Sequence, residues 1–221
     1  MEPTQRAAIR LDALGLFLAG LINTFLALLD AGLVLGPGTA AQPPELIQRA
    51  AWIAANTARW QAGWLFWFAV TLSFAWSYHA LGRHLGGARP WRALAIGLAL
   101  IAAAVDIVGV LVNLTVLPAL APDPSARTVF AAMESLANAL TNVAAFGLYS
   151  LAGLLLLPAV FATPGYPRGL AWLGTAEWTN SAVATALLVA APGLATGPLL
   201  IGFALYAPWV WASGLWLLRR K

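Results

Sequence analysis

ALAIGLALIAAAVDIVGVLVNLTVL, residues 93–117, runs for 25 residues with a single ionisable side chain, Asp106. A helix that crosses a bilayer needs about 20 predominantly apolar residues, and this stretch supplies them before Pro118 and the Ala-Pro-Asp-Pro turn of residues 121–124 break the run. It reads as a membrane span. Similar runs flank it at about residues 13–36, 60–82, 130–161, 169–191 and 198–218, separated by turns such as Pro-Gly-Tyr-Pro at 164–167 and Pro192-Gly193. The expected fold is therefore all-α, a polytopic transmembrane bundle of six spans forming a single domain over residues 1–221.

Composition agrees. Of 221 residues, 61% are hydrophobic and 9% charged, against roughly 25% charged in soluble domains, so the chain cannot clothe a water-soluble surface. The first apolar run, Ala13 to Gly36, is longer than the about 7–15 residues of a leader's apolar region. It is expected to be a retained span, although Gly38 and Ala40 before Ala41 are small enough for cleavage. Between the first two spans, Leu46, Ile47, Ala50, Ile53 and Ala54 recur at helical spacing opposite Glu45, Gln48 and Arg49. That pattern predicts an amphipathic helix lying along the outer interface over about 43–59. The fourth run, which starts from Arg127, is too long for one crossing unless its first turns also stand outside.

Short loops rich in Lys and Arg face the cytoplasm. With the N-terminus inside, the inner side holds Arg6, Arg10, Arg83, Arg89, Arg92, Arg168, Arg219, Arg220 and Lys221, and the outer side Arg49, Arg59 and Arg127. Nine against three places both termini in the cytoplasm. The net charge of +4 then reflects topology and anionic lipid rather than nucleic acid, which is not an expected partner. A multi-pass membrane protein is expected.

Whole chemistries are excluded by the residues the chain lacks. Without Cys there is no thiolate metal site, iron–sulfur cluster or disulfide. Lys221 is the only lysine and cannot form a Schiff base within the bilayer. His79 and His84 share one helix end and are poorly placed as paired haem ligands. GxxxxGK[ST], HExxH and GxSxG are absent. No cofactor and no metal site is expected.

What remains are carboxylates inside the apolar runs, each costing about 2.5–3.5 kcal/mol at mid-bilayer on insertion scales. They are Asp30, Asp106, Glu134 and Glu177. Each has amides on its own helix: Asn23 seven residues before Asp30, Asn113 seven after Asp106, Asn138 and Asn142 four and eight after Glu134, and Asn180 three after Glu177. Seven residues bring a helix within about 20° of the same face, so the polar stripes are expected to meet inside the bundle. Arg59, at the outer mouth, is the cation expected to reach Asp30 or Glu134. Asp106 has no basic neighbour in sequence and is expected to hold its proton at rest and exchange it. As plain structure, the same side chains would be interhelical hydrogen-bond glue worth about 0.6 kcal/mol each.

Further patterns carry weaker signals. Residues 13–82 and 93–161 share a plan of apolar span, Pro-rich turn, amphipathic helix and apolar return, with the Asp and Asn of their first helices in reversed order. Trp60, Trp64 and Trp67 form a stripe, read as packing surface or as the wall of a ligand pocket. The loop around His79, Arg83 and His84 reads as a positive-inside anchor before a lipid-phosphate site.

In its six-span layout, the Asp-x6-Asn of residues 106–113 and the Asn-x-x-x-Asn of residues 138–142, the chain resembles a family of functionally uncharacterised bacterial six-helix membrane proteins. The resemblance implies an inner-membrane protein and carries over no catalytic residue.

The reading expected from the residues is a carboxylate- and amide-lined intramembrane cavity that binds or translocates a small molecule, cation or proton. One alternative is an accessory subunit of a larger membrane complex. The other is a membrane-embedded enzyme that acts on a lipid or isoprenoid by general acid chemistry. Expected partners are membrane lipids, a small hydrophobic or cationic ligand, and membrane-protein subunits.

Overall fold

The computed structural model describes residues 3–35, 46–87 and 89–219. Among these the chain is entirely helical, in seven helices. They are α1 (residues 3–35), α2 (Leu46–Ala55), α3 (Thr57–His84), α4 (Arg89–Leu120), α5 (residues 127–162), α6 (Arg168–Ala190) and α7 (Thr196–Arg219). Four segments are long and apolar enough to cross a membrane: Thr4–Thr24, Arg89–Leu120, Pro124–Ala162 and Thr196–Arg219. Helices α3 and α6 match them in length, but Thr71, Ser73, Ser77 and His79 on α3, and Thr175, Glu177, Asn180 and Ser181 on α6, make them more polar.

The helices stand in a closed ring. Each of α1, α3, α4, α5, α6 and α7 packs on the next, and α7 returns to α1. Short connections force this up-and-down order. Both described chain ends fall at one end of the ring, the terminal end, and α2 lies across the other against α3, α4 and α5. Leu11, Leu18, Leu65, Leu72, Leu100, Ile101, Val183, Leu200 and Ile201 point outward as an apolar belt.

The expected amphipathic helix exists but is shorter. It ends at Ala55, because Asn56 leaves the helical region (φ −126°, ψ 32°) and its side-chain amide donates to the Trp52 carbonyl at 2.9 Å. The expected start at Pro43, and the Gly36-Pro37-Gly38 end of the first apolar run, lie outside the described residues.

Tryptophan and glycine explain how the helices approach. A Cβ added to Gly15, Gly20, Gly153 or Gly174 would lie 1.8, 2.3, 2.1 or 2.4 Å from the indoles of Trp76, Trp211, Trp178 and Trp209 respectively. Each pair joins neighbouring helices, α1 to α3, α1 to α7, α5 to α6 and α6 to α7. Small residues admit close packing where no hydrophobic effect drives helices together, and here a flat ring fills the space that a missing side chain leaves.

Three helices depart from α geometry. Residues 21–26 and 30–35 of α1, 112–116 of α4 and 139–145 of α5 are π-helical. Such turns insert a residue into the helix and often accompany functional sites.

Candidate functional site: an aromatic cavity at Asp106

Asp106 lies midway along α4, and its Oδ2 accepts a hydrogen bond from Thr71 Oγ1 on α3 at 2.7 Å. The same hydroxyl faces the Trp67 carbonyl at 3.1 Å. A hydroxyl has one proton for these two acceptors. An ionised Asp106 takes it. A protonated Asp106 instead donates to the hydroxyl, which turns its own proton to the carbonyl. Thr71 therefore satisfies the carboxyl in either state.

A cavity of about 140 Å3 opens beside this pair. Helix α3 lines it with Trp64, Trp67, Val70, Thr71 and Phe74, and α4 with Asp106. The π-helical part of α5 adds Thr141 and Asn142, followed by Phe146 and Tyr149, and α7 adds Leu199 and Phe203. No Lys, Arg or His borders it, and the ion pairs among the described residues do not involve Asp106.

Toward the terminal end the cavity has a floor. Phe74 stacks on Tyr149 and tilts on Tyr206, both at 4.9 Å. Beyond them Trp178 packs on Tyr78 at 5.3 Å and on Trp209 at 5.6 Å. Tyr78 donates to the Tyr149 carbonyl at 2.5 Å and Tyr206 to Ser77 Oγ at 2.9 Å, so the plug is fixed by hydrogen bonds as well as packing. Wider depressions of about 540 and 400 Å3 lie at the ends of the ring, and neither is bordered by Asp30, Asp106 or Glu177.

The other carboxylates do not join Asp106. Asp30 is buried in a π-helical turn of α1, with Oδ1 against Gly63 of α3 and Oδ2 without a hydrogen-bond partner. Glu177 is buried on α6, where Ser181 Oγ donates to it at 3.1 Å and its second oxygen has no hydrogen-bond partner. Glu134 is held by Arg49 of α2 at 2.5 Å rather than by Arg59, whose Nε donates to the Val34 carbonyl at 2.9 Å. The hydrogen bond to Glu134 is the first reason the Arg49 guanidinium binds its proton still more firmly than usual.

Of the amides, only Asn142 borders the cavity. Its Nδ2 donates to Asn138 Oδ1 at 2.8 Å, and both side chains are exposed. Asn23 ties α1 to α3 by donating to Ser73 Oγ at 2.5 Å, and Asn180 ties α6 to α7 through the Pro198 carbonyl at 2.7 Å. Asn113 turns back to the Gly109 carbonyl at 3.0 Å, while its own carbonyl accepts from Trp60 Nε1 at 2.6 Å. Asn113 lies in the π-helical turn that begins at Val112 and does not border the cavity. The Asn23 and Asn180 amides are the interhelical glue that plain structure demands, whereas the Asn113 amide bonds within α4 and only its backbone carbonyl reaches α3.

The tryptophan stripe divides. Trp60 is packing, while Trp64 and Trp67 are cavity wall. Continuing the stripe at helical spacing reaches Thr71 and Phe74 of this wall and then Tyr78 of the plug beneath it, which is the signal that would have located them. At the terminal end, Asp12, which the sequence patterns above do not single out, is 1% exposed and binds His84 Nε2 at 2.7 Å, with Arg83 at 3.7 Å. Among the described residues, no group of three or more His, Cys, Asp or Glu could hold a metal ion.

No protein-family model, curated protein or solved structure matches the chain.

Proposed function

We propose that the chain is a six-span protein of a bacterial inner membrane with both termini cytoplasmic, and that its Asp106 cavity binds or translocates a small molecule, cation or proton. The observation that carries this is the carboxyl of Asp106 in a ring-lined cavity, satisfied by Thr71 in both protonation states and neutralised by no basic side chain. Intramembrane ionisable groups are retained against their insertion cost when they serve a ligand or proton. The aromatic plug beneath favours binding, or transport that must first move the plug, over an open pore.

The orientation rests on the nine basic residues that the sequence assigns to the inner side against three on the outer side. Three of the nine lie where they serve a second purpose. Arg92 donates to the Leu85 carbonyl just past the end of α3, Arg168 to the Phe161 carbonyl in the last turn of α5, and Arg83 stands near Asp12.

Purified protein in proteoliposomes tests the reading with three probes: proton flux reported by internal pyranine, sodium-22 uptake, and benzylamine uptake. Asp106→Asn is expected to insert and fold while losing the response to at least one probe. Unchanged responses to all three would overturn the assignment.

One observation favours the accessory-subunit reading. Asn138 is exposed on a helix apolar enough to span a membrane, where an amide facing lipid is unfavourable and one facing a partner helix is not. Cross-linking from a cysteine at position 138 to a different chain in native membranes would support it.

A further inference from the structure

The cavity's lining narrows the chemistry of what it holds. Deepening the ligand-binding reading, on which it rests, we infer that the Asp106 cavity is a site for a small organic ammonium group. Such a group needs a negative charge and aromatic faces, and it needs few hydrogen-bond acceptors.

The charge is Asp106, with no cation bordering the cavity to neutralise it. The faces come from Trp64, Trp67 and Phe74 on α3, Phe146 and Tyr149 on α5 and Phe203 on α7, which surround the space from three helices. Aromatic rings attract cations through their quadrupole, most strongly when water is excluded, and cages of this kind recognise quaternary ammonium groups. Size agrees. An apolar cavity of about 150 Å3 in another protein takes up one benzene, and tetramethylammonium or the end of an alkylamine is of that order, close to the about 140 Å3 here.

The polar inventory argues against the alternatives. An inorganic cation such as calcium wants about six to eight oxygen ligands. Here Thr141 Oγ1 and Asn142 Nδ2 donate to the Ala137 carbonyl and to Asn138, at 2.9 and 2.8 Å, and the oxygens of both side chains remain acceptors. Asp106 is nevertheless the only side chain of the lining that brings negative charge, and one carboxylate among neutral oxygens is a weak ligand set for such an ion. An anion would meet a carboxylate and no basic residue. A neutral apolar ligand fits the rings but leaves the carboxylate uncompensated. One more donor awaits a partner: Trp64 is 7% exposed and its Nε1 has no hydrogen bond. An ammonium ligand that carries a hydroxyl could supply the acceptor.

Both a free amine and the headgroup of a choline lipid present this chemistry, and the experiment separates them. The full-length protein is placed in nanodiscs of phosphatidylglycerol, and binding of labelled tetramethylammonium is measured against sodium-22 and the neutral analogue neopentyl alcohol. Wild type is expected to bind tetramethylammonium at least tenfold tighter than Asp106→Asn does, and several-fold tighter than Trp67→Leu, with sodium and neopentyl alcohol weaker than either. Asp106→Glu, which keeps the charge, is expected to recover part of the affinity. It also guards against reading a folding defect as lost binding.

Repeating the titration in phosphatidylcholine nanodiscs decides the source. Lost tetramethylammonium binding, with a spin-labelled choline lipid immobilised by wild type and not by Asp106→Asn, assigns a headgroup. Unchanged binding assigns a free amine. Either supports the ammonium site. If neopentyl alcohol binds as well as tetramethylammonium and Asp106→Asn changes neither, the ammonium assignment fails while a ligand cavity stands. If sodium binds best, the assignment fails in favour of an inorganic cation. If no probe binds and Asp106→Asn also leaves proton flux unchanged, both readings fall together.

Discussion

The carboxylate of Glu134 on α5 accepts two hydrogen bonds from the Arg49 guanidinium on α2, at 2.7 and 2.5 Å, with both side chains mostly buried. This pair is the polar bond that fastens the short amphipathic helix to the ring. Glu134→Gln is expected to weaken the attachment by about 1.5–3 kcal/mol, the usual worth of hydrogen bonds to charged groups. Hydrogen exchange over Leu46–Ala55 should rise while the rest of the ring keeps its protection. The charge-swapped pair Arg49→Glu with Glu134→Arg should restore much of it. Unchanged exchange in the single variant would show that apolar contacts of Ile53 and Phe130 alone hold α2.

At the opposite end Asp12 and His84 join α1 to α3 at 2.7 Å. Asp12 is 1% exposed, with His84 its near partner and Arg83 at 3.7 Å, so deleting either member of the close pair is expected to cost about 1.5–3 kcal/mol, the usual worth of a hydrogen bond to a charged group. Asp12→Ala and His84→Ala are expected to lower stability in detergent by similar amounts, and the double variant by little more than either. Tetramethylammonium binding should not change, because this pair lies at the other end of the ring from the cavity. Additive losses would show that the two side chains act independently.

Gly153 faces the Trp178 indole so closely that a methyl group would sit 2.1 Å from it. The ring is wedged among Tyr78, Tyr206 and Trp209 and cannot retreat. Gly153→Ala is expected to cost about 1–3 kcal/mol by overpacking. Gly97, on α4, has open space where its Cβ would be, and Gly97→Ala should be neutral or gain about 0.5–1 kcal/mol by stiffening the helix. Thermal unfolding of both variants in one detergent checks the contrast. Equal effects would mean that the indole moves aside.

Much of the ring was legible because it rests on apolar runs and turn residues, signals that survive without tertiary context. Asp106 was legible for the same reason, as a charge where none is cheap. Partners were not. Arg49 and Glu134 are 85 residues apart, and the sequence pointed to Arg59 instead of Arg49 as the cation for the carboxylate. Asp12 sits among arginines at a span's edge, where nothing separates a solvated flank from a buried tie. The expectation that four polar stripes meet assumed uninterrupted 3.6-residue periodicity. The π-helical turns cancel that assumption at residues 30–35, 112–116 and 139–145, and a one-residue insertion held by contacts from another helix leaves no mark in composition.

Trp60 supplies such a contact. Its Nε1 donates to the Asn113 carbonyl at 2.6 Å inside the π-helical turn of α4, and Trp60 is 2% exposed. Trp60→Phe preserves most of the apolar volume but removes that donor, leaving a buried carbonyl without it at a cost of about 1–3 kcal/mol. The turn is then expected to lose its main reason for staying wide, so amide exchange over residues 112–117 should change while residues 95–105 stay protected. Asn113 does not border the cavity, so affinity for tetramethylammonium should move by less than twofold. A large loss of affinity would show instead that this turn sets the position of Asp106, seven residues earlier on the same helix.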